Sequence, residues 1–337
     1  MNIDNQRQLS VLSAKKILDN AITIANKIKE GKNVYTFFDT ETTGTEPYGD
    51  KNDNMKRDRL LEIGAVSYTL DEKGIQPLKN KDNEIVIYHD YINPFIEPEN
   101  QLFIYNSKKE MGDSYIVHGI NKDFLNGKGD LGGFKLKTAA RPFTETRDYF
   151  ELFMNTDNAL KFLLENNYIN GSFEDFTGEH IFVAHNASFD KKVLNAEFEK
   201  DDRFNKDIRY QSDFEGHVKV LDTLALSREI IPKKLLEEKG VDYSEVDNFG
   251  RNKKPGYTLD YLQFYYDIEA DRDLHGALVD SKILADIYNC LINDDGYINA
   301  PNSPIVKSEQ SITDFFKNKI EQTKIVKKDK NKALISL

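Results

Sequence analysis

The chain has 337 residues, a hydrophobic fraction of 39%, a formal net charge of −11 and one cysteine. This length supports one large domain with extensions, or at most two domains with an ordinary core, and the acidic balance excludes a protein that grips polyanions through a broad cationic surface. The single cysteine excludes an intramolecular disulfide framework and fits a reducing compartment, while the absence of long apolar runs and of a secretory apolar segment argues against a membrane or exported protein.

Residues 8–30 place Val11, Ala14, Leu18, Ile22 and Ala25, together with Ile17, Ala21, Ile24 and Ile28, on an apolar helical stripe. A helix packed on its own domain is the favoured reading, with a partner-binding helix as the other. Val34-Tyr35-Thr36-Phe37-Phe38 reads as a buried strand that runs into Asp39-Thr40-Glu41-Thr42-Thr43-Gly44. Positions i and i+2 of a strand share a face. Asp39 and Glu41 therefore point the same way and repel each other unless cations neutralise them; solvated loop acids are the plainer alternative. Ile181-Phe182-Val183-Ala184 is a second apolar strand, leading into His185-Asn186 and a helix expected to begin near Ala187 and to carry Asp190. His185 reads as a hydrogen-bonded structural residue at the strand end. Ala277 to Leu291 has apolar residues at helical spacing, with Asp280 in the first turn and His275 on the approach. Cys290, in the same segment, reads as a small core hydrophobe.

The three acidic motifs, around Asp39, Asp190 and Asp280, supply four carboxylates and a histidine. This is the equipment for two-metal hydrolysis of a phosphodiester. Oxygen-only ligands favour two hard divalent ions, Mg2+ or Mn2+, and an imidazole beside a metal-binding carboxylate suits proton abstraction near neutral pH.

After the last helix, Asp294 to Pro304 reads as a linker. Glu309-Gln310-Ser311-Ile312-Thr313-Asp314-Phe315-Phe316 then resembles a sliding-clamp-binding peptide, carried by Gln310, Ile312, Phe315 and Phe316, with Gln310 one place off one known spacing. Clamp binding is favoured over a tail helix docked on the domain. Lysines outnumber acids beyond it, as in a tail that contacts DNA phosphates.

The acidic motifs resemble those of the DEDDh 3′–5′ exonucleases, and the resemblance extends from Val34 to Leu291. Leu60 to Val66 is similar to the family's second strand, Val117-His118-Gly119-Ile120 to its substrate-side loop, Asp222-Thr223-Leu224-Ala225 to the segment after its fifth strand, and Thr258 to Leu262 to the short helix before the third motif. The resemblance implies a ribonuclease-H-like α/β fold with a mixed five-stranded sheet flanked by helices. It divides the chain into an N-terminal helical extension (1–30), an exonuclease domain (31–293) and a linker, clamp-like motif and basic tail (294–337). It also implies that Asp39, Glu41, Asp190 and Asp280 are the metal ligands and His275 is the general base, with substrate contacts from Thr40, Thr42, His118 and Asn186. For His118, holding its loop stands as an equal alternative; for Asp222 a helix N-cap is expected.

Residues 98–116, 126–140 and 232–256 depart from the family pattern by added length. Within the family the resemblance runs closest to proofreading members that work beside a replicative polymerase. The expected partners are therefore a DNA 3′ end, single-stranded or mispaired, a replicative DNA polymerase and a sliding clamp, in the cytoplasm with no membrane contact. A free-standing exonuclease that trims RNA or short oligonucleotides is the first alternative. A non-catalytic adaptor between polymerase and clamp is the second, which the presence of all five catalytic positions disfavours.

Overall fold

The structure is a computed structural model that describes residues 1, 3–48, 58–71, 74–96, 112–155, 157–199, 219–239, 256–269 and 275–294. The clamp-like residues Gln310, Ile312, Phe315 and Phe316, the basic tail, and most of the added lengths 98–116 and 232–256 lie outside the described residues.

The sheet is organised about β1 (Val34–Thr42), which pairs antiparallel with β2 (Leu60–Asp71) and parallel with β5 (His180–Ala184). β6 (Lys219–Asp222) adds parallel to β5. The expected five strands become six in five positions. The 12-residue β2 is long enough for β4 (Ile87–Tyr91) to pair with Glu62–Val66 and for β3 (Gly74–Pro77) to pair with Tyr68–Asp71, one after the other along the same edge. This mixed sheet flanked by helices is the expected α/β architecture.

Alternation along β1 builds two cores. Val34 and Phe38 face a layer formed by α1 (Ala14–Lys29), α4 (Phe143–Met154) and α6 (Ser188–Glu199), in a core with Ile17, Ile24, Phe150, Phe182 and Leu194. Tyr35 and Phe37 face the other layer, where Tyr288 of α10 (Ala277–Asn293) sets its ring 6.2 Å and 5.3 Å from theirs. The remaining described helices are α2 (Gly112–His118), α3 (Lys122–Leu125), α5 (Asp157–Glu165), α7 (Thr223–Ile230), α8 (Lys233–Lys239) and α9 (Leu259–Tyr265).

The N-terminal stripe is spent on the protein's own core. Ser13 caps α1 by accepting from Lys16 N–H at 3.3 Å, and Leu18, Ala21 and Ala25 pack on Leu152 and Leu160. Ahead of α1, Ser10 donates its backbone N–H (3.1 Å) and its hydroxyl to the buried Asp90 of β4, and accepts from Tyr91 N–H at 2.8 Å. Burial pushes the Asp90 carboxyl up to about 6, with the Ser10 bonds opposing. Cys290 corrects the sequence reading: it is half-buried on the flank of α10, outside both cores. Among the described residues no helix is long and apolar enough to cross a membrane.

Candidate active site

The carboxyl ends of parallel strands β1 and β5 meet the first turns of α6 and α10, and the acidic motifs occupy these junctions. Asp39 and Glu41 continue the odd-numbered face of β1, so they point toward α10, where Asp280 sits in the first turn. Thr40 points the other way and donates its hydroxyl to Asp190 Oδ1 at 2.7 Å, fixing that carboxylate in the first turn of α6. A cleft of about 250 Å³ is lined by Asp39, Thr40, Glu41, His185, Thr258, Leu259, Asp260, His275 and Asp280. Ligand atoms of Glu41, His275 and Asp280 lie within 4.8 Å of one another.

Close approach of α10 to β2 makes this assembly possible. Gly64 faces Asp39 across the β1–β2 ladder, and a Cβ there would stand 2.1 Å from Leu278 N. Ser281 of α10 donates to Gly64 O at 2.8 Å. On the other side, Arg59, just before β2, holds α6 through a buried two-pronged ion pair with Glu197 (Nε to Oε1 2.8 Å, Nη2 to Oε2 3.0 Å).

The electrostatics follow from crowding acids into little water. Asp39 keeps some exposure at the cleft, yet the protein around it pushes its carboxyl well above the usual range; desolvation is the largest cause, and the negative charges of Asp190, Glu41, Asp280 and Glu62 add to it. Burial also raises Asp190, to about 7, against the lowering effect of its Thr40 hydrogen bond. Such a cluster is stable at neutral pH only if protons or cations neutralise it. Asp39, Glu41, Asp280 and the His275 imidazole line one cleft, while Asp190 stands behind Thr40, outside the cleft lining, and adds its charge to Asp39; this donor set fits divalent, oxygen-preferring ions.

The histidines separate by partner. His275 engages Asp280 Oδ2 through Nδ1 at 3.1 Å, and its backbone N–H donates to Val117 O at 3.2 Å. The Nδ1–H tautomer leaves Nε2 as the basic nitrogen. His185 donates Nε2–H to Tyr257 O at 2.6 Å and meets Thr223 Oγ1 at 3.0 Å, the structural strand-end role. His118 is buried, donates to Thr42 O at 3.0 Å, and accepts Ile120 N–H at 3.0 Å; burial lowers it to about 4. With both ring nitrogens engaged, loop-holding is the role this geometry serves. Thr42 bonds Gly44 O, and Asn186 occupies the left-handed region (φ 62) at the β5–α6 turn, its N–H on Asp222 Oδ1 at 3.0 Å. Asp222 caps α7, accepting from Leu224 N–H at 2.9 Å.

Two acids escaped the sequence reading. Glu62 pairs across the ladder with Glu41 on the same face and is held by His89 Nε2 at 2.7 Å. The signal was a lone carboxylate inside the apolar run Leu60 to Val66. Asp260, at the start of α9, lines the cleft wall.

No family model matches the chain. It is 28% identical over 251 residues to the DNA polymerase III subunit epsilon of Buchnera aphidicola subsp. Baizongia pistaciae, covering 74% of this chain and 67% of that one. To the subunit of the same name from Escherichia coli it is 28% identical over 253 residues (74% and 68% covered), and to that of Rickettsia felis 25% over 298 residues (88% and 90%). Similar solved structures include cell-death related nuclease 4 (14% identity, TM-score 0.42, 77% of this chain and 64% of that one) and the nuclease domain of 3′hExo, a DEDDh family member bound to rAMP (13%, 0.36, 79% and 93%). Its acidic motifs meet at one end of this sheet, and the chain is a nuclease similar in sequence to the epsilon subunits of bacterial DNA polymerase III.

Proposed function

We propose that the protein removes nucleotides from a DNA 3′ end by hydrolysing the terminal phosphodiester, releasing nucleoside monophosphates, and that it proofreads within a replication complex. The observation that carries this reading is the cleft lined by Asp39, Glu41, Asp280 and His275, with Asp190 held behind it by Thr40.

Those four carboxylates would hold two divalent ions, Mg2+ or Mn2+, which when bound neutralise the site, acidify the attacking water and offset charge on the departing 3′ oxygen. His275 takes the proton of that water on Nε2, while Asp280 keeps the ring in the required tautomer and stabilises the imidazolium that forms. Thr40 holds Asp190 against the repulsion of its neighbours. On this reading the cleft takes an unpaired end, so a paired primer must first melt. Unpairing costs a few kcal/mol and least at a mismatch, which gives selection for errors without reading bases.

The acidic charge of the chain disfavours unaided DNA binding. A tether to polymerase or clamp, through the region beyond residue 294, would raise the local concentration to roughly millimolar. The relatives' names, DNA polymerase III subunits, support this setting.

The test is stepwise degradation of 5′-labelled strands in magnesium, beside Asp39→Ala. Mismatched and single-stranded DNA ends should disappear faster than paired ends, and the variant should be inactive while retaining its fold. Preference for RNA would overturn the DNA reading, and activity in Asp39→Ala would overturn the metal-site assignment.

A further inference from the structure

The segment 122–141 carries five cations, Lys122, Lys128, Lys135, Lys137 and Arg141, against two carboxylates, Asp123 and Asp130, in a chain of net charge −11. Lys128, Lys135 and Lys137 are exposed, and none forms an ion pair among the described residues. The segment has a built shape. Gly132 and Gly133 take φ of 57° and 84°, and Leu131 and Phe134 exchange backbone hydrogen bonds at 2.9 Å, the geometry of a two-residue hairpin turn. Its base is anchored by buried Leu136 and Ala140 against Phe124 and Leu125. At the tip Phe134 remains 42% exposed, its ring 6.3 Å from Tyr91 and from Phe124.

A chain of side-chain contacts leads from the hairpin toward the cleft, starting with Phe134 on Tyr91. Tyr91 lies 5.1 Å from His89, which bonds Glu62 beside the catalytic acids. The Val117–Ile120 loop that leads into α3 is bonded to Thr42 O through His118 and to His275 through Val117 O. An exposed aromatic among unpaired lysines is the chemistry of single-stranded nucleic-acid binding, where a base stacks and phosphates are neutralised.

We propose that this hairpin holds the single strand upstream of the 3′-terminal nucleotide, with Phe134 stacked on a base and Lys128, Lys135 and Lys137 on phosphates. This inference rests on the exonuclease reading above. It gives an acidic protein a small cationic wing beside its site in place of a broad basic surface, and it makes hydrolysis depend on strand length.

The test compares the full chain with Phe134→Ala and with Lys128→Gln/Lys135→Gln/Lys137→Gln. Each is assayed in magnesium on a single strand of about 20 nucleotides and on the p-nitrophenyl ester of thymidine 5′-monophosphate, which occupies only the cleft. KM for the strand should rise at least about fivefold in Phe134→Ala. In the triple variant it should rise about tenfold or more, with the salt slope of log KM falling by about 2. Ester kinetics should stay unchanged. Wild-type KM for the strand in both variants overturns the inference, as does equal loss on both substrates, which marks a structural role. Failure of the unaltered chain to hydrolyse either substrate overturns the exonuclease reading instead.

Discussion

Replacing Gly64 by Ala tests whether the site depends on the seating of α10. The added Cβ would lie 2.1 Å from Leu278 N and 2.2 Å from Ala277 C, where ordinary contact begins near 3.4 Å. Both neighbours are backbone, so no side chain can swing aside, and the first turn of α10 must retreat by more than about 1 Å. That turn carries Asp280, and His275 stands just before it. Overpacking of this kind costs about 1–3 kcal/mol, and a misplacement of about 1 Å costs roughly a hundredfold in rate. Gly64→Ala should therefore lower kcat on a short oligonucleotide about a hundredfold. A thermal melt should show a loss of only about 2–10 °C. A variant that melts lower but keeps the wild-type kcat would refute the claim that β2 positions the catalytic turn.

Two further outcomes follow from buried charge. Arg59→Met leaves the Glu197 carboxylate buried without its partner and should cost about 3–5 kcal/mol in urea unfolding; adding Glu197→Met should recover most of that, and a double variant no better than the single one contradicts the pairing. Asp39 and Asp190 have folded pKa values raised above their unfolded ones. The metal-free fold therefore binds protons that the unfolded chain releases, and its stability is fully present below the usual carboxylate range and lost as pH rises through the raised values. The melting temperature without metal should fall from pH 5 to pH 8, and magnesium at a hundredfold excess over its Kd should restore about 2.7 kcal/mol. A flat metal-free profile would show that the acids are not crowded as described.

The acidic motifs were legible because each sits at a junction that local pattern reveals: an apolar strand ending in acids, or an apolar helix with an acid in its first turn. Period-two alternation alone put Asp39 and Glu41 on one face. What the pattern could not show was which face of β1 meets which helix, so the bond from the opposite-facing Thr40 to Asp190 was not visible in it. Glu62 was hidden for the same reason, since its importance comes from standing across the ladder from Glu41. The fate of His118 depended on a carbonyl 76 positions away, Thr42 O. The sixth strand was unreadable because β3 and β4 share one edge of a strand longer than either.

The bond between Thr40 and Asp190 joins residues 150 positions apart in the chain. β1 also reaches its parallel neighbour β5 only across the antiparallel hairpins and helices between them. Closing so long a loop costs entropy before any contact repays it, and non-local pairing of this kind slows folding. On a ribosome the first acidic motif would emerge and pair with β2 well before its catalytic partners exist. The cleft is thus assembled late: every intermediate that lacks β5, α6 or α10 has the first two carboxylates but not the complete acidic cluster, which exists only in the finished domain.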